Sequence, residues 1–570
     1  MSKKIIPIVL LISTIFVISL GAFTNTSFRN ASTATLLEDD YDMWLGPYPL
    51  PDPARLPLID GARLYTNLSN LVNKAEEPFG TFSSDYFLIG GSTNPLFNFG
   101  NLGFVVDRYN DKNPWDTGLL DRLGNPIYGF GDVVSATLTD DDGNGTYDRR
   151  TEVEETRETW QDQGNKDFVF GFGKDMNGSL FGLFFQMNKM KTETYGAPGG
   201  MPVNYTLDST DINLVSGDRT FTESRLGTGS TIDDMTLNTF GLSFWKYLSE
   251  TRAVGFHFGY GMLSATSDDI WDNTDNWNAS PDDASITDTY SMRETSDENI
   301  PYSGNDITGW LSFISDFNEI THFRFDTYFE KASSKVGSDA VRNYTFVDNR
   351  IAADNHTDAT NGTEATGITG DGSYQTVAIQ GKFIYDLSDN VNFAFGIGFS
   401  TNTWDTTRVE INDSRYVQTY DDGDNEVNDP DDYTETTTYA SEIQTKTTEG
   451  SKIITFPVCV EFHVKTPLVF RLGAIHSINL TESTTNMDLL SASPGLVHTV
   501  YGDGSISDVL INNPGIQDIG SSEDNTDTYS NTNYTYGMGY AVGKNLKIDL
   551  MGFSDLTNLS NWKVSATLMF

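Results

Sequence analysis

Asn561-Trp562-Lys563-Val564-Ser565-Ala566-Thr567-Leu568-Met569-Phe570 ends the chain. Trp562, Val564, Ala566, Leu568 and Phe570 alternate with Lys563, Ser565 and Thr567, a two-residue period that predicts a strand with one apolar face. One such strand also fits the edge of a soluble sheet. The decision rests on whether the pattern repeats upstream and on what occupies the opposite face.

The pattern does repeat. Phe168, Phe170 and Phe172 share a side, the chain turns at Asp175-Met176-Asn177-Gly178, and Phe181, Leu183, Phe185 and Met187 return on that side. Gly171, Gly173, Gly182, Gln186 and Asn188 lie opposite. Equivalent hairpins turn at Ser249-Glu250, Asn318-Glu319, Ser388-Asp389-Asn390, Thr466-Pro467 and Gly543-Lys544-Asn545. Phe256, Phe325, Phe395 and Phe470 lie on their apolar sides. Bulky rings on one face with glycine and polar residues on the other suit a sheet that turns its apolar side to lipid.

Turns of about two to four residues alternate with polar insertions mostly of about forty or more, the asymmetry of barrels with short turns at one end and long loops at the other. The closing strand resembles that of bacterial outer-membrane β-barrels, whose terminal aromatic is read by the barrel-insertion machinery. The porin-like class is the nearest resemblance; the long-chain fatty-acid transporter family is a weaker one. The resemblance implies an all-β, transmembrane, antiparallel up-and-down barrel in the outer membrane, with outer-membrane lipid and the insertion machinery as partners. We count about fourteen strands, or about sixteen if residues 82–91 and 126–138 add a pair, with short periplasmic turns and long acidic extracellular loops.

Composition agrees. The apolar fraction is 38%, mean hydropathy is −0.36, and aromatics make up 12%, as expected where alternating strands dilute hydrophobicity and rings form girdles. A net charge of −44, from 80 acidic and 36 basic residues, excludes nucleic acid as a partner, since no basic surface is left to neutralise phosphates. The single cysteine, Cys459, permits no internal disulfide and no cysteine-based metal cluster.

Lys3 and Lys4 precede an apolar run over 5–20 and small residues near Ala22, the layout of a secretory signal peptide. We assign residues 1–34 to this region, with cleavage near Ala22 or Ala34. Residues 35–99 form a second unit. Pro47, Pro49, Pro51, Pro53 and Pro57 forbid sheet ladders there, and a short helix is expected over 61–74. This unit is a periplasmic segment, a plug entering the lumen, or a plain linker. Residues 100–570 form the barrel.

Alternation assigns Arg324, Asp326, Glu330, Lys382, Glu461, Arg471, Lys547, Asp549 and Lys563 to the lumen, because basic side chains on the lipid face would cost roughly 2–4 kcal/mol each near the midplane. They either set ion selectivity at a constriction or pair across strands as structural ladders. In the stretch 140–148, Asp140, Asp142, Asn144 and Asp148 occupy positions 1, 3, 5 and 9 of a calcium loop, with Gly145 at position 6. Position 12 is Thr151 instead of a bidentate glutamate, with Glu152 one residue late, and the alternative is an Asp-Gly-Asn turn at the tip of an extracellular hairpin. A weaker acidic run covers residues 421–426. The six histidines form no motif with serine or aspartate, and no catalysis and no required cofactor are expected. Three functions stay open: a channel passing small solutes, cation-preferring because of its acidic loops; a substrate-specific transporter of hydrophobic compounds with an N-terminal plug; and a surface-exposed structural or adhesive barrel.

Overall fold

The structure, a computed structural model, describes residues 27–45, 50–67, 84–95, 99–114, 116–120, 126–140, 145–195, 204–214, 219–279, 288–337, 341–351, 357–423, 429–465, 467–513, 522–553 and 563–570. Sixteen strands form a ring. They are β1 (Arg63–Asn67), β2 (Ser84–Ser92), β3 (Asn101–Pro114), β4 (Arg149–Asp175), β5 (Ser179–Tyr195), β6 (Arg219–Ser249), β7 (Arg252–Ala279) and β8 (Asp288–Asn318). The ring continues with β9 (Thr321–Val336), β10 (Thr357–Ser388), β11 (Val391–Asp421), β12 (Tyr433–Lys465), β13 (Leu468–Ala492), β14 (Ser522–Val542), β15 (Leu546–Phe553) and β16 (Lys563–Met569). Each strand pairs antiparallel with the next, and β16 returns to β1, with Arg63 opposite Met569 and Asn67 opposite Ser565. Closure leaves no unpaired edge to face hydrocarbon.

The predicted hairpin turns all join consecutive antiparallel ring strands and so lie at one end. One is built by Asn177 (φ 58°) and Gly178 (φ 86°), the pair of positive φ values that matches the twist of a two-residue hairpin. Phe570 lies at this end too. Its N–H donates to the Ala62 carbonyl at 3.0 Å and its carbonyl accepts from the Ala62 N–H at 3.2 Å.

The apolar face points outward. Phe170, Phe256, Phe325, Phe395, Phe470 and Leu568 are exposed and Phe168 and Phe185 half-buried, while Val169, His257, Arg324, Ala394 and Arg471 beside them are buried. In most hairpins this band spans about ten residues from the turn, which a tilted strand needs to cross a bilayer.

Three expectations change. The count is sixteen, the higher alternative, but the pair that completes it is β1 with β2. Residues 126–138 fall in Pro126–Thr139, which pairs with β4 beyond the band, Gly129 opposite Thr159. Arg63–Asn67 has no apolar alternation to read, and it is a strand where a helix was expected. The barrel therefore begins before residue 100, inside the segment assigned as residues 35–99. Second, most of the long polar insertions are strand. Residues 268–279 and 288–298 belong to β7 and β8, which stay paired from Asp268 opposite Asn299 to Ala279 opposite Asp288, and residues 280–287 lie outside the described set. Outside the bilayer both faces are wet, so the alternation that betrays a strand disappears. The connection after β11 fits the loop expectation at residues 422–423 and 429–432, and residues 424–428 lie outside the described set. Third, residues 27–34, placed in the signal region, are built into the lumen.

Candidate functional site

Residues 27–45 and 50–59 lie in the lumen near the turn end. Ser27 caps α1 (Phe28–Ser32), its hydroxyl accepting from the Asn30 N–H at 3.1 Å and donating to Asp42 at 2.6 Å. Asp39 starts α2 (Asp40–Leu45), accepting from the Tyr41 N–H at 2.9 Å. A 3-10 helix, Pro53–Leu58, follows. Three of the five prolines, Pro51, Pro53 and Pro57, lie in its described part, and their missing N–H groups keep the segment out of the ladders.

The plug touches the wall around the ring. Tyr41, Trp44, Leu45, Leu56 and Ile59 pack on Tyr65, Leu88, Val105 and Val169 of β1 to β4. Ala54 packs on Leu180, Trp245 and Ala253 of β5 to β7. Leu36 and Leu37 meet Ala394 and Cys459 of β11 and β12, and Phe28 and Ala31 meet Met551 of β15. Two inward glycines make room for the 3-10 helix: a Cβ on Gly173 would overlap the Pro53 carbonyl oxygen, and one on Gly182 the Ala54 nitrogen. The glycine face read as small and luminal is a docking surface.

Buried ion pairs complete the seat. Glu38 accepts from Arg324 Nη1 at 2.6 Å, Lys382 Nζ at 3.0 Å and Arg55 Nη1 at 3.3 Å. Arg29 forks onto Glu461, Nε to Oε2 at 3.0 Å and Nη2 to Oε1 at 2.8 Å. Glu461 also accepts from Arg471 at 2.8 Å, Arg471 donates to Asp549 at 2.6 Å, and Lys547 bridges Asp549 at 3.1 Å and Asp39 at 3.8 Å. Arg63 holds Asp40 at 2.9 Å. Burial tends to raise the Glu38 carboxyl, but Arg324, Lys382 and Arg55 together hold it well below the usual range. Asp52 accepts from Trp245 Nε1 at 2.8 Å and lies 3.4 Å from His257 Nε2. There burial dominates over Arg55 and Trp245 and pushes the carboxyl up to about 7.

Seven of the nine residues assigned to the lumen thus sit in the plug-bearing belt: Arg324, Asp326, Lys382, Glu461, Arg471, Lys547 and Asp549. Glu330 is also inward but lies farther from the turns. The Lys563 backbone pairs with Met551, and its side chain lies outside the described residues. The sequence reading missed the partners on the plug, Arg29, Glu38, Asp39 and Arg55, because a segment without periodicity gives no facing. Of the calcium-loop residues, Asp142 and Asn144 lie outside the described residues; Asp140 accepts from the Gly145 N–H at 2.6 Å, and the Asp148 N–H donates to Thr139 at 2.9 Å. Asp421, Asp422 and Asp432 converge at the end of the β11–β12 pair.

Two cavities flank the plug. One, of about 210 Å³, is lined by Asp40, Tyr41, Arg63, Lys547 and Met569 among others. The second, of about 300 Å³, lies between Leu37, Arg55, His322, Lys382, Asp386 and Asn392.

No protein-family model and no curated protein matches the chain. Among solved structures it is similar to the Ralstonia pickettii toluene transporter TbuX, at 10% identity and a TM-score of 0.34 over 96% of this chain and 99% of that one. It is also similar to a Pseudomonas aeruginosa FadL homologue, at 11% identity and a TM-score of 0.24 over 96% and 98% of the two chains. A third likeness is to the copper transporter OprC, at 9% identity and a TM-score of 0.24 over 90% and 80%. The chain is a closed antiparallel β-barrel with an outward apolar band. At these identities and TM-scores no substrate passes from neighbour to chain; the closed register and outward apolar band of the barrel stand on their own.

Proposed function

We propose that this barrel conducts small solutes across the outer membrane and that residues 27–59 hold it closed at rest. The observation that supports this most is the circumferential seating of the plug, anchored by buried ion pairs at Glu38 and Arg29. A solute crosses once the plug shifts. Its preference is for cations, because the inward faces of the long outer strands carry Glu223, Asp233, Asp269, Asp275, Glu294 and Glu298 against Arg225 and Arg408, an excess that concentrates positive charge at the entrance.

The test is planar-bilayer conductance of the refolded protein with and without residues 27–59. The intact barrel should conduct little, and the deleted one should open to a cation-preferring pore whose selectivity fades as salt rises. Equal conductance of the two proteins, or anion preference in the open one, would overturn the proposal. One observation favours a hydrophobic solute as cargo: beyond the plug the inward face carries Tyr328, Tyr374 and Trp404, with Ala332 in the same layer. An apolar aromatic solute should then quench tryptophan fluorescence in the wild type and less in Trp404→Ala.

A further inference from the structure

Immediately beyond the plug, Asp306 and Thr308 of β8 and Glu330 of β9 share the inward face. Thr308 is opposite Glu330 and Asp306 opposite Ala332, so the two carboxylates are diagonal neighbours on paired strands, within about 8 Å. All three are out of water: Asp306 is 7% exposed, Thr308 2% and Glu330 8%.

The adjoining strand β7 approaches them closely through two glycines. Gly259 faces Thr308 and Gly261 faces Asp306 across the β7–β8 pair. A Cβ on Gly259 would stand 2.5 Å from Thr308 Oγ1 and 3.1 Å from the plug residue Leu50, and one on Gly261 would stand 3.1 Å from the Asp306 Cβ. Either side chain would crowd the oxygens.

Glu330 Oε2 accepts from the Tyr328 hydroxyl at 2.7 Å. Asp306 Oδ1 and Thr308 Oγ1 are buried with no hydrogen-bond partner. Neither carboxylate forms an ion pair among the described residues, and Lys331 and Lys335, the lysines nearest in sequence, are exposed on the outer face. Thr376, opposite Glu330 on β10, spends its hydroxyl on Asn402 at 2.9 Å.

We propose that Asp306, Thr308 and Glu330 form a binding site for a hard cation of calcium type in the lumen wall. Two buried carboxylates without counter-charge are strongly unfavourable. A cation that accepts six to eight oxygens at about 2.3–2.6 Å in flexible geometry relieves both, and suits a carboxylate–hydroxyl–carboxylate set drawn from two strands. The site stands whether or not the lumen conducts.

The test uses the refolded full-length barrel in detergent, with calcium chloride as the probe and EDTA as the blank. The unfolding midpoint should rise with calcium in the wild type and saturate. Asp306→Asn and Glu330→Gln should each lose at least tenfold in apparent calcium affinity, and Thr308→Val several-fold. In EDTA both amide variants should melt at or above the wild type, since each removes a like charge, which separates loss of binding from loss of folding. Asp140→Asn should keep the full calcium response, so the outer acidic loop is not its source. A calcium response identical in the wild type, Asp306→Asn and Glu330→Gln would overturn the proposal. So would a wild type indifferent to calcium whose midpoint instead falls as pH rises, because the pair would then be holding a proton.

Discussion

Replacing Glu38 by Gln keeps the shape of the side chain and removes the charge that three cations share. Arg324, Lys382 and Arg55 lie 2.6, 3.0 and 3.3 Å from its oxygens, and all four side chains are largely buried. Neutralising one member of a buried pair costs about 3–5 kcal/mol, because the partners stay buried without it. Arg324 retains Asp326 at 2.9 Å, which argues for the lower end, about 3 kcal/mol. At about 1.4 kcal/mol per tenfold, the undocked population of the plug should rise on the order of 100-fold. Maleimide labelling of a cysteine placed at Ser32, buried when the plug is seated, reports that population. Glu38→Gln should label about 100-fold faster than its parent, with the heat-modifiable migration of a folded barrel unchanged. Labelling at the parental rate would mean that apolar packing alone seats the plug and that the ion pairs contribute nothing.

The same readout gives a pH dependence with two opposite signs. The Glu38 carboxyl is held below its ordinary value of 4.5, so its contribution to docking is complete above that value and is lost as pH falls through the lowered one. The Asp52 carboxyl is raised to about 7 from 3.8, so its contribution is complete below 3.8 and is lost as pH rises through about 7. Asp52→Asn should therefore label more slowly than the parent near neutral pH and above, with the difference gone near about pH 4. Gly182→Val should exclude the 3-10 helix, since any Cβ there meets the Ala54 nitrogen; fast labelling with normal barrel assembly is expected, and slow labelling would show that the helix seats elsewhere. Deleting Phe570 removes both hydrogen bonds to Ala62 as well as the aromatic terminus. Insertion into outer membranes, scored by protease protection, should fall more than for removal of residues 495–511, and equal insertion would count against the role of the last residue.

The sequence by itself determined the membrane-spanning wall. Phe168, Phe256, Phe325, Phe395 and Phe470 had to share a face because side chains alternate strictly along a strand, and lipid demands the apolar one. Turn positions followed from the same period, and so did the inward facing of Arg324, Lys382, Glu461 and Arg471. The period is a local property, legible wherever the two faces meet different solvents. It fails where they do not: in Arg63–Asn67, too short to alternate, and in the outer halves of β7 and β8, wet on both sides. Only the tertiary structure decided what the inward charges do. Glu38 lies 286 residues from Arg324 and 344 from Lys382, and Arg29 lies 432 from Glu461. Such pairs come together through ring closure, which no local pattern encodes, so the belt that could equally have lined an open pore is the seat of a plug.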